Sequence, residues 1–165
     1  MNVTFKSFKR AAFASQETNC FEAIVCIDGT PAFHASNEGS GGCDRYLPLN
    51  GQTPQKFREQ LARFEAFAVT HPCAADFVAH PRQCVEVLIA TLVEREIARR
   101  DLTRRLKKAT LFFVQGPKAQ LLGLRSAFSE AVKAHVLKRY PGASILNEMP
   151  ESDALDAFIG LANAR

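Results

Sequence analysis

The sequence predicts an α+β fold with mostly antiparallel pairing, and three observations predict it. Residues 3–37 carry short alternating apolar runs joined by an Asp-Gly turn. Residues 55–105 carry apolar stripes at helical spacing, and the last third returns to short apolar runs interleaved with helices. The resulting order is three strands, two helices, two strands, helix, strand, helix. It lacks the regular strand–helix alternation of a doubly wound parallel sheet.

Val3, Phe5, Phe8 and Phe13 alternate imperfectly, which predicts a strand from Val3 to Phe13 with an irregularity near Ser7. NCFEAIVCID alternates cleanly, with Phe21, Ala23, Val25 and Ile27 on one face and Cys20, Glu22, Ile24 and Cys26 on the other. Asp28-Gly29 supplies the positive φ of a tight hairpin turn, and PAFHAS returns as the partner strand. After the loop SNEGSGGCD, RYLPLNGQT is rich in turn formers and reads as a connection.

Thr53-Pro54 reads as an N-cap followed by the first helical position. The helix from Gln55 to Val69 places Phe57, Leu61, Phe64 and Ala68 on one stripe. THPCAADFVAHP, between two His-Pro pairs, is expected to be irregular or a single turn. From Arg82 a second helix presents Val85, Leu88, Ile89 and Leu92. Continued straight, it brings Arg95 and Arg99 onto that apolar stripe, so a bend or restart near 94–101 is expected, with Asp101 as N-cap. TLFFVQG is a buried strand, paired with QLLGLRS across Gly116-Pro117. SEAVKAHVLKRY is a helix closed by Pro141-Gly142, ASILN a short strand, and Ser152 the cap of a last helix bearing Leu155, Phe158, Ile159 and Ala162.

At 165 residues, 47% hydrophobic and 23% charged, the chain is long enough to bury a real core. It reads as a single compact domain over 1–165, or as two lobes, 1–70 and 81–165. No apolar run approaches the roughly 18 residues that span a bilayer, so no membrane association is expected. MNVTFKSFKRAAFASQ has no continuous apolar stretch and reads as a strand rather than a secretion signal, which predicts a cytoplasmic protein. The five cysteines, Cys20, Cys26, Cys43, Cys73 and Cys84, form no paired C-x-x-C pattern, so free thiols are expected and a structural zinc site is not.

The loop is the first candidate site. Asn37, Gly39, Gly41 and Gly42 would form an anion-contacting loop if successive amides faced one ligand, because glycine permits alternating-hand conformations and close approach. The loop matches neither a P-loop, which continues Lys-Ser/Thr into a helix, nor a dinucleotide fingerprint. Cys43 or Cys20 with His34 and Asp44 is the one local nucleophile–base–acid combination. Neither thiol shows a pattern that would activate it, and no catalytic residue, cofactor or metal is expected. Glu17, Glu22, Asp28 and Glu38 cluster in the N-terminal half without the spacing of a two-metal motif.

The second candidate is basic. EREIARRDLTRRLKK, residues 94–108, holds seven bases, Arg95, Arg99, Arg100, Arg104, Arg105, Lys107 and Lys108, against three acids. From totals of 21 bases and 17 acids, the rest of the chain keeps 14 of each, so the whole formal charge of +4 lies in this segment. Such clustering fits an acidic partner, nucleic acid or a nucleoprotein complex. The competing reading is a solvated helix face with internal pairs such as Glu96 with Arg100. Lys133, Lys138 and Arg139 would extend a basic patch if their helix packed nearby.

Three segments, KRAAFASQETNCFEAIVCIDGTPAFHASNEGSGGCDRY, LTRRLKKATLFFV and KAHVLKRYPGASILNEMP, together resemble an uncharacterised family of small proteins of phages and other bacterial mobile elements. The shared features are an E-T-x-C-F-x-A strand, an I-D-G turn, an N-E/D-G-x-G-G loop and an L-x-x-x-L-K-x-x-x-L-F segment. The resemblance covers about two-thirds of the chain by inspection of these motifs and transfers no catalytic residue. It implies an accessory protein acting in the host cell, of a kind that often binds host nucleic acid or defence complexes. The expectation is a non-catalytic binding protein, an anti-defence inhibitor of the anti-CRISPR type among the forms it would take. Its rival is a nucleotide- or nucleic-acid-processing enzyme centred on the loop, using Glu17, Glu38, Asp44, Cys43 or His34.

Overall fold

The computed structural model describes residues 1–116 and 119–163. Its contacts divide the chain into two compact units, Met1–Glu94 and Arg95–Arg165. Both hold antiparallel sheets with packed helices, as the α+β reading expects.

The first unit is a four-stranded meander, β1 (Val3–Arg10), β2 (Phe21–Ile27), β3 (Thr30–Asn37) and β4 (Arg45–Leu47), in sequential order. The expected irregularity falls at Ser7, which has φ 55°, where the β1–β2 register shifts between Lys6 and Lys9. The extra residue changes the phase of the alternation, so Phe8 turns inward with Phe5. Phe5, Phe8 and Phe21 stack with ring centroids 5.7 to 6.4 Å apart. Phe13 does not continue the strand: it lies in a 3₁₀ turn, Ala12–Ala14, with its side chain 93% exposed. The β2–β3 hairpin turns at Asp28 and Gly29, with φ of 50° and 79°, the conformation a two-residue turn needs to match strand twist.

RYL is a strand and not part of the connection, pairing Ser36 with Arg45, Ala35 with Tyr46 and His34 with Leu47. Three residues ahead of Pro48 carry too little alternation to announce a strand; the open edge of β3 supplies the order. Helix α1 (Pro54–Thr70) begins where Thr53 Oγ1 accepts from the Lys56 amide and buries Phe64 and Ala68. Phe64 meets Phe33 edge-on at 5.4 Å, and full burial of such a ring is worth about 2 to 3 kcal/mol. A 3₁₀ turn, Pro72–Phe77, follows between the His-Pro pairs.

Helix α2 runs without a break from Pro81 to Leu106, so the expected bend near 94–101 is absent and Asp101 is an interior residue, not an N-cap. The conflict that suggested a break is resolved by charge pairing. Arg95 reaches Asp156, Arg99 reaches Glu96 and Glu151, and Asp101 holds Arg104 and Arg105. Long arginine stems leave an apolar stripe without interrupting the backbone that carries them.

In the second unit β5 (Thr110–Val114) lies between β6 (Leu122–Leu124) and β7 (Ala143–Ile145). The expected β5–β6 pairing is present, while Pro117 of the proposed turn lies outside the described residues. Alternation splits β5 between two cores. Leu111 joins Leu102, Leu146, Leu155 and Phe158; Phe112 joins Val136 and Ile145 beneath α3 (Glu130–Arg139), which Ser129 caps. Asn147 clasps this unit, accepting from Leu111 N at 3.0 Å and donating to the carbonyls of Ala109 at 3.2 Å and Leu106 at 3.4 Å. Helix α4 (Glu151–Asn163) starts at Glu151, so Ser152 lies inside it and bonds Asp153 rather than capping; the first intrahelical acceptor is the Pro150 carbonyl.

Candidate functional site

The glycine loop is built around Asn37, the last residue of β3 and only 8% exposed. All four hydrogen-bonding positions of its side chain are filled. Oδ1 accepts from Thr18 Oγ1 and Gly39 N, each at 2.8 Å, and Nδ2 donates to Gly42 O at 2.9 Å and Asp44 Oδ1 at 2.8 Å. The Gly39 carbonyl in turn accepts from the amides of Gln16, Glu17 and Thr18 at 2.9 to 3.3 Å. The loop therefore offers an oxygen to a cradle of amides on its neighbour. Of the amides proposed to face an anion, Gly39 N is spent on Asn37, and Gly41 N points at Thr18 Oγ1 at 3.4 Å.

Beside this hub lies a cleft of about 240 Å³ whose polar wall includes Thr18, Asn37, Cys43, Asp44 and Glu86, over an apolar floor of Phe21, Ala90 and Val93. Burial and the Glu86 charge raise the Asp44 carboxyl above its ordinary value, while hydrogen bonds from Asn37 and Tyr46 act against that rise. The Cys43 thiol is pushed up, first by its hydrogen bond to Glu86 and then by that carboxylate's charge. Burial, reinforced by Asp44, raises the Tyr46 phenol strongly, so its hydroxyl stays protonated and donates to Asp44 Oδ2 at 3.3 Å. Electrostatically this wall is acidic and its thiol is suppressed. Glu86 and Tyr46 were invisible as members of this site in the sequence, because one comes from a helix 42 positions beyond Asp44 and the other from the unrecognised strand β4.

The remaining candidates stand apart. His34 is half-buried on β3, and among the described residues no hydrogen bond joins it to Cys43, Cys20 or Asp44. Glu22 pairs with Lys9, Glu38 with Arg45 and Asp28 with Arg63. Among the described residues no group of three or more His, Cys, Asp or Glu side chains is placed to hold a metal ion. No helix among them is long and apolar enough to cross a membrane.

In the second unit the basic residues are arranged in an ion-pair ladder. Glu96 receives Arg99 through two bonds, at 2.7 and 2.8 Å, and Arg100 at 2.8 Å; these guanidiniums hold its carboxyl below the usual carboxylate value. Asp101 receives Arg104 and, at 2.8 Å, Arg105, whose guanidinium also lies 5.5 Å from the centre of the Phe158 ring. Arg95 and Arg99 take Asp156 and Glu151 from α4, at 2.6 and 3.5 Å, partners no local spacing announces. Lys133 of the suggested extension is held by Glu148 at 2.5 Å. The guanidiniums remain 42 to 74% exposed, so the ladder lies on the surface, and Lys107 and Lys108 follow α2 exposed and with no ion pair among the described residues.

Comparison with protein-family models, with curated proteins and with solved structures finds no match to this chain.

Proposed function

We propose that this chain is a non-catalytic binding protein that engages an acidic partner, the phosphate backbone of a nucleic acid or of a nucleoprotein complex, through the C-terminal half of α2. The observation that carries the reading is charge placement. The entire formal charge of +4 lies in residues 94–108, and it ends in Lys107 and Lys108, exposed at the end of the helix without ion pairs of their own among the described residues. Arg104, 74% exposed and held among the described residues by Asp101, completes a cationic end. Exposed arginine–carboxylate pairs are worth about 0.2 to 1 kcal/mol, so a phosphate competes for these guanidiniums at little cost.

A groove of about 550 Å³ in the same unit adds to this. Leu102, Leu106, Phe128, Leu146 and Met149 line it together with Lys107, Arg99 and Glu151, the last two paired at 3.5 Å. An apolar slot with Lys107 beside it suits an unstacked base next to its phosphate, once the phosphate competes with Glu151 for Arg99, which favours single strands over duplex. The resemblance to small proteins of phages and mobile elements argues for a partner in a bacterial host's cytoplasm, with a defence nucleoprotein such as a CRISPR complex as the specific target of an inhibitor. The rival reading, a nucleotide-processing centre at the glycine loop, has against it the acidic wall of Asp44 and Glu86, which repels phosphate.

The test is fluorescence anisotropy with labelled single-stranded DNA, duplex DNA and RNA across a salt series. Binding to single strands is expected to weaken with salt. Combining Arg104→Gln, Lys107→Gln and Lys108→Gln should lower the slope of log K against log salt by about one per phosphate contact removed. No binding at low salt, or an unchanged slope in the triple variant, overturns the assignment.

A further inference from the structure

The five cysteines differ sharply in surroundings. Cys43 is the exposed one, Cys20 and Cys73 are half-buried, and Cys26 and Cys84 are buried. Exposure would make Cys43 the most reactive thiol of the chain. Its neighbour, however, is the Glu86 carboxylate, which accepts its proton in a hydrogen bond and opposes a thiolate by charge.

Cys73 has the opposite neighbour. In the sequence His71-Pro72-Cys73, the 3₁₀ turn that begins at Pro72 folds the thiol back onto the imidazole, with Sγ 3.0 Å from His71 Nδ1. The Cys73 backbone amide also donates to Nδ1, at 3.3 Å. An amide N–H can donate only to a nitrogen that carries no proton, so in the neutral ring the hydrogen sits on Nε2, and the single Nδ1 lone pair is shared between the Cys73 amide and the thiol. The Phe67 ring, edge-on at 5.5 Å, packs against the imidazole. A nucleophile and a base within hydrogen-bond reach, with the base's tautomer set by a third group, is the arrangement that activates a thiol.

We infer that Cys73 is a hydroperoxide-reactive modification site, with His71 as the base that activates its thiol. The Sγ proton passes to Nδ1, and the thiolate attacks one oxygen of the peroxide. The S–O bond forms as the O–O bond breaks; sulfur loses two electrons and the peroxide gains them. The departing hydroxide takes the proton from Nδ1 and leaves as water, so thiol and hydrogen peroxide become sulfenic acid and water.

The experiment exposes the folded chain to hydrogen peroxide, traps sulfenic acid with a dimedone-type reagent and reads each cysteine by peptide mass spectrometry. Cys73 is expected to be labelled about fivefold or more faster than Cys43. His71→Asn keeps an oxygen to accept from the Cys73 amide but removes the base, and should lower Cys73 labelling about fivefold while leaving Cys43 unchanged. Cys26 and Cys84 remaining unlabelled in the same sample reports an intact core. Cys43 reacting first in the wild-type chain, or Cys73 reacting at full rate in His71→Asn with the core intact, overturns the inference.

Discussion

Asn37 Nδ2 donates to Asp44 Oδ1 across 2.8 Å, and that bond joins the end of β3 to the residue that precedes β4. Everything between the two is loop. The same amide nitrogen takes the Gly42 carbonyl while the amide oxygen takes Thr18 and Gly39. Asn37 is thus the one side chain that a turn of mixed donors and acceptors requires. Asn37→Asp replaces the two donors by an acceptor that faces Gly42 O and a carboxylate, and should destabilise the chain by about 2 to 4 kcal/mol at neutral pH. Urea unfolding measures it. The loss should shrink in acid, where one carboxyl of the pair holds a proton to donate; a variant as stable as the wild type at pH 7 contradicts the hub.

Gly39 is needed for space as well as for conformation. Its φ is +87°, and a Cβ there would meet the Ala14 carbonyl oxygen and lie 2.9 Å from Cys20 Cβ. Gly39→Ala should cost about 3 kcal/mol or more, combining left-handed strain with a backbone clash. Gly29, at φ +79°, has nothing within 4 Å of the place a methyl would take, so Gly29→Ala carries the strain alone and should cost about 1 kcal/mol. Thermal melts of the two variants separate the terms, and equal losses would show that the Ala14 contact gives way freely.

Asp44 makes stability fall with rising pH. Its carboxyl titrates above the ordinary aspartate value of 3.8 because burial and Glu86 disfavour the charge. Between the unfolded and folded values the native state binds more protons, so each step up in pH through that window favours unfolding. The penalty is absent below the unfolded value and complete above the folded one. Asp44→Asn keeps an oxygen for Asn37 and an amide for Tyr46, and should leave stability unchanged near pH 3 while gaining about 1 kcal/mol or less at pH 7. Denaturant midpoints at the two pH values check it. An equal difference at both would remove Asp44 from the pH dependence.

The Asp28-Gly29 hairpin, the bulge at Ser7, the Thr53 cap and the Phe64 stripe were legible in the sequence because each is determined by neighbours within a few positions, where backbone geometry ties residue type to conformation. The strand β4 and the continuity of α2 were not. Arg45–Leu47 is ordered by the β3 edge; Arg95 is tolerated on its stripe because an acid 61 residues away accepts it, and Arg99 adds Glu151, 52 residues away, to its local partner Glu96.

The candidate sites divide the same way. Sequence by itself determined the α+β class, the concentration of charge in residues 94–108, and the Glu96–Arg100 pair, which follows from helical spacing. Only the tertiary structure decided that the glycine loop turns a carbonyl toward the Gln16–Thr18 amides, that Glu86 stands over Cys43, and that Asp156 and Glu151 complete the arginine ladder. The physical reason is range. Backbone conformation and helix-face pairing are set within about one turn of chain, whereas the electrostatic character of a site is the sum over groups that folding brings within a few ångströms from anywhere in the sequence.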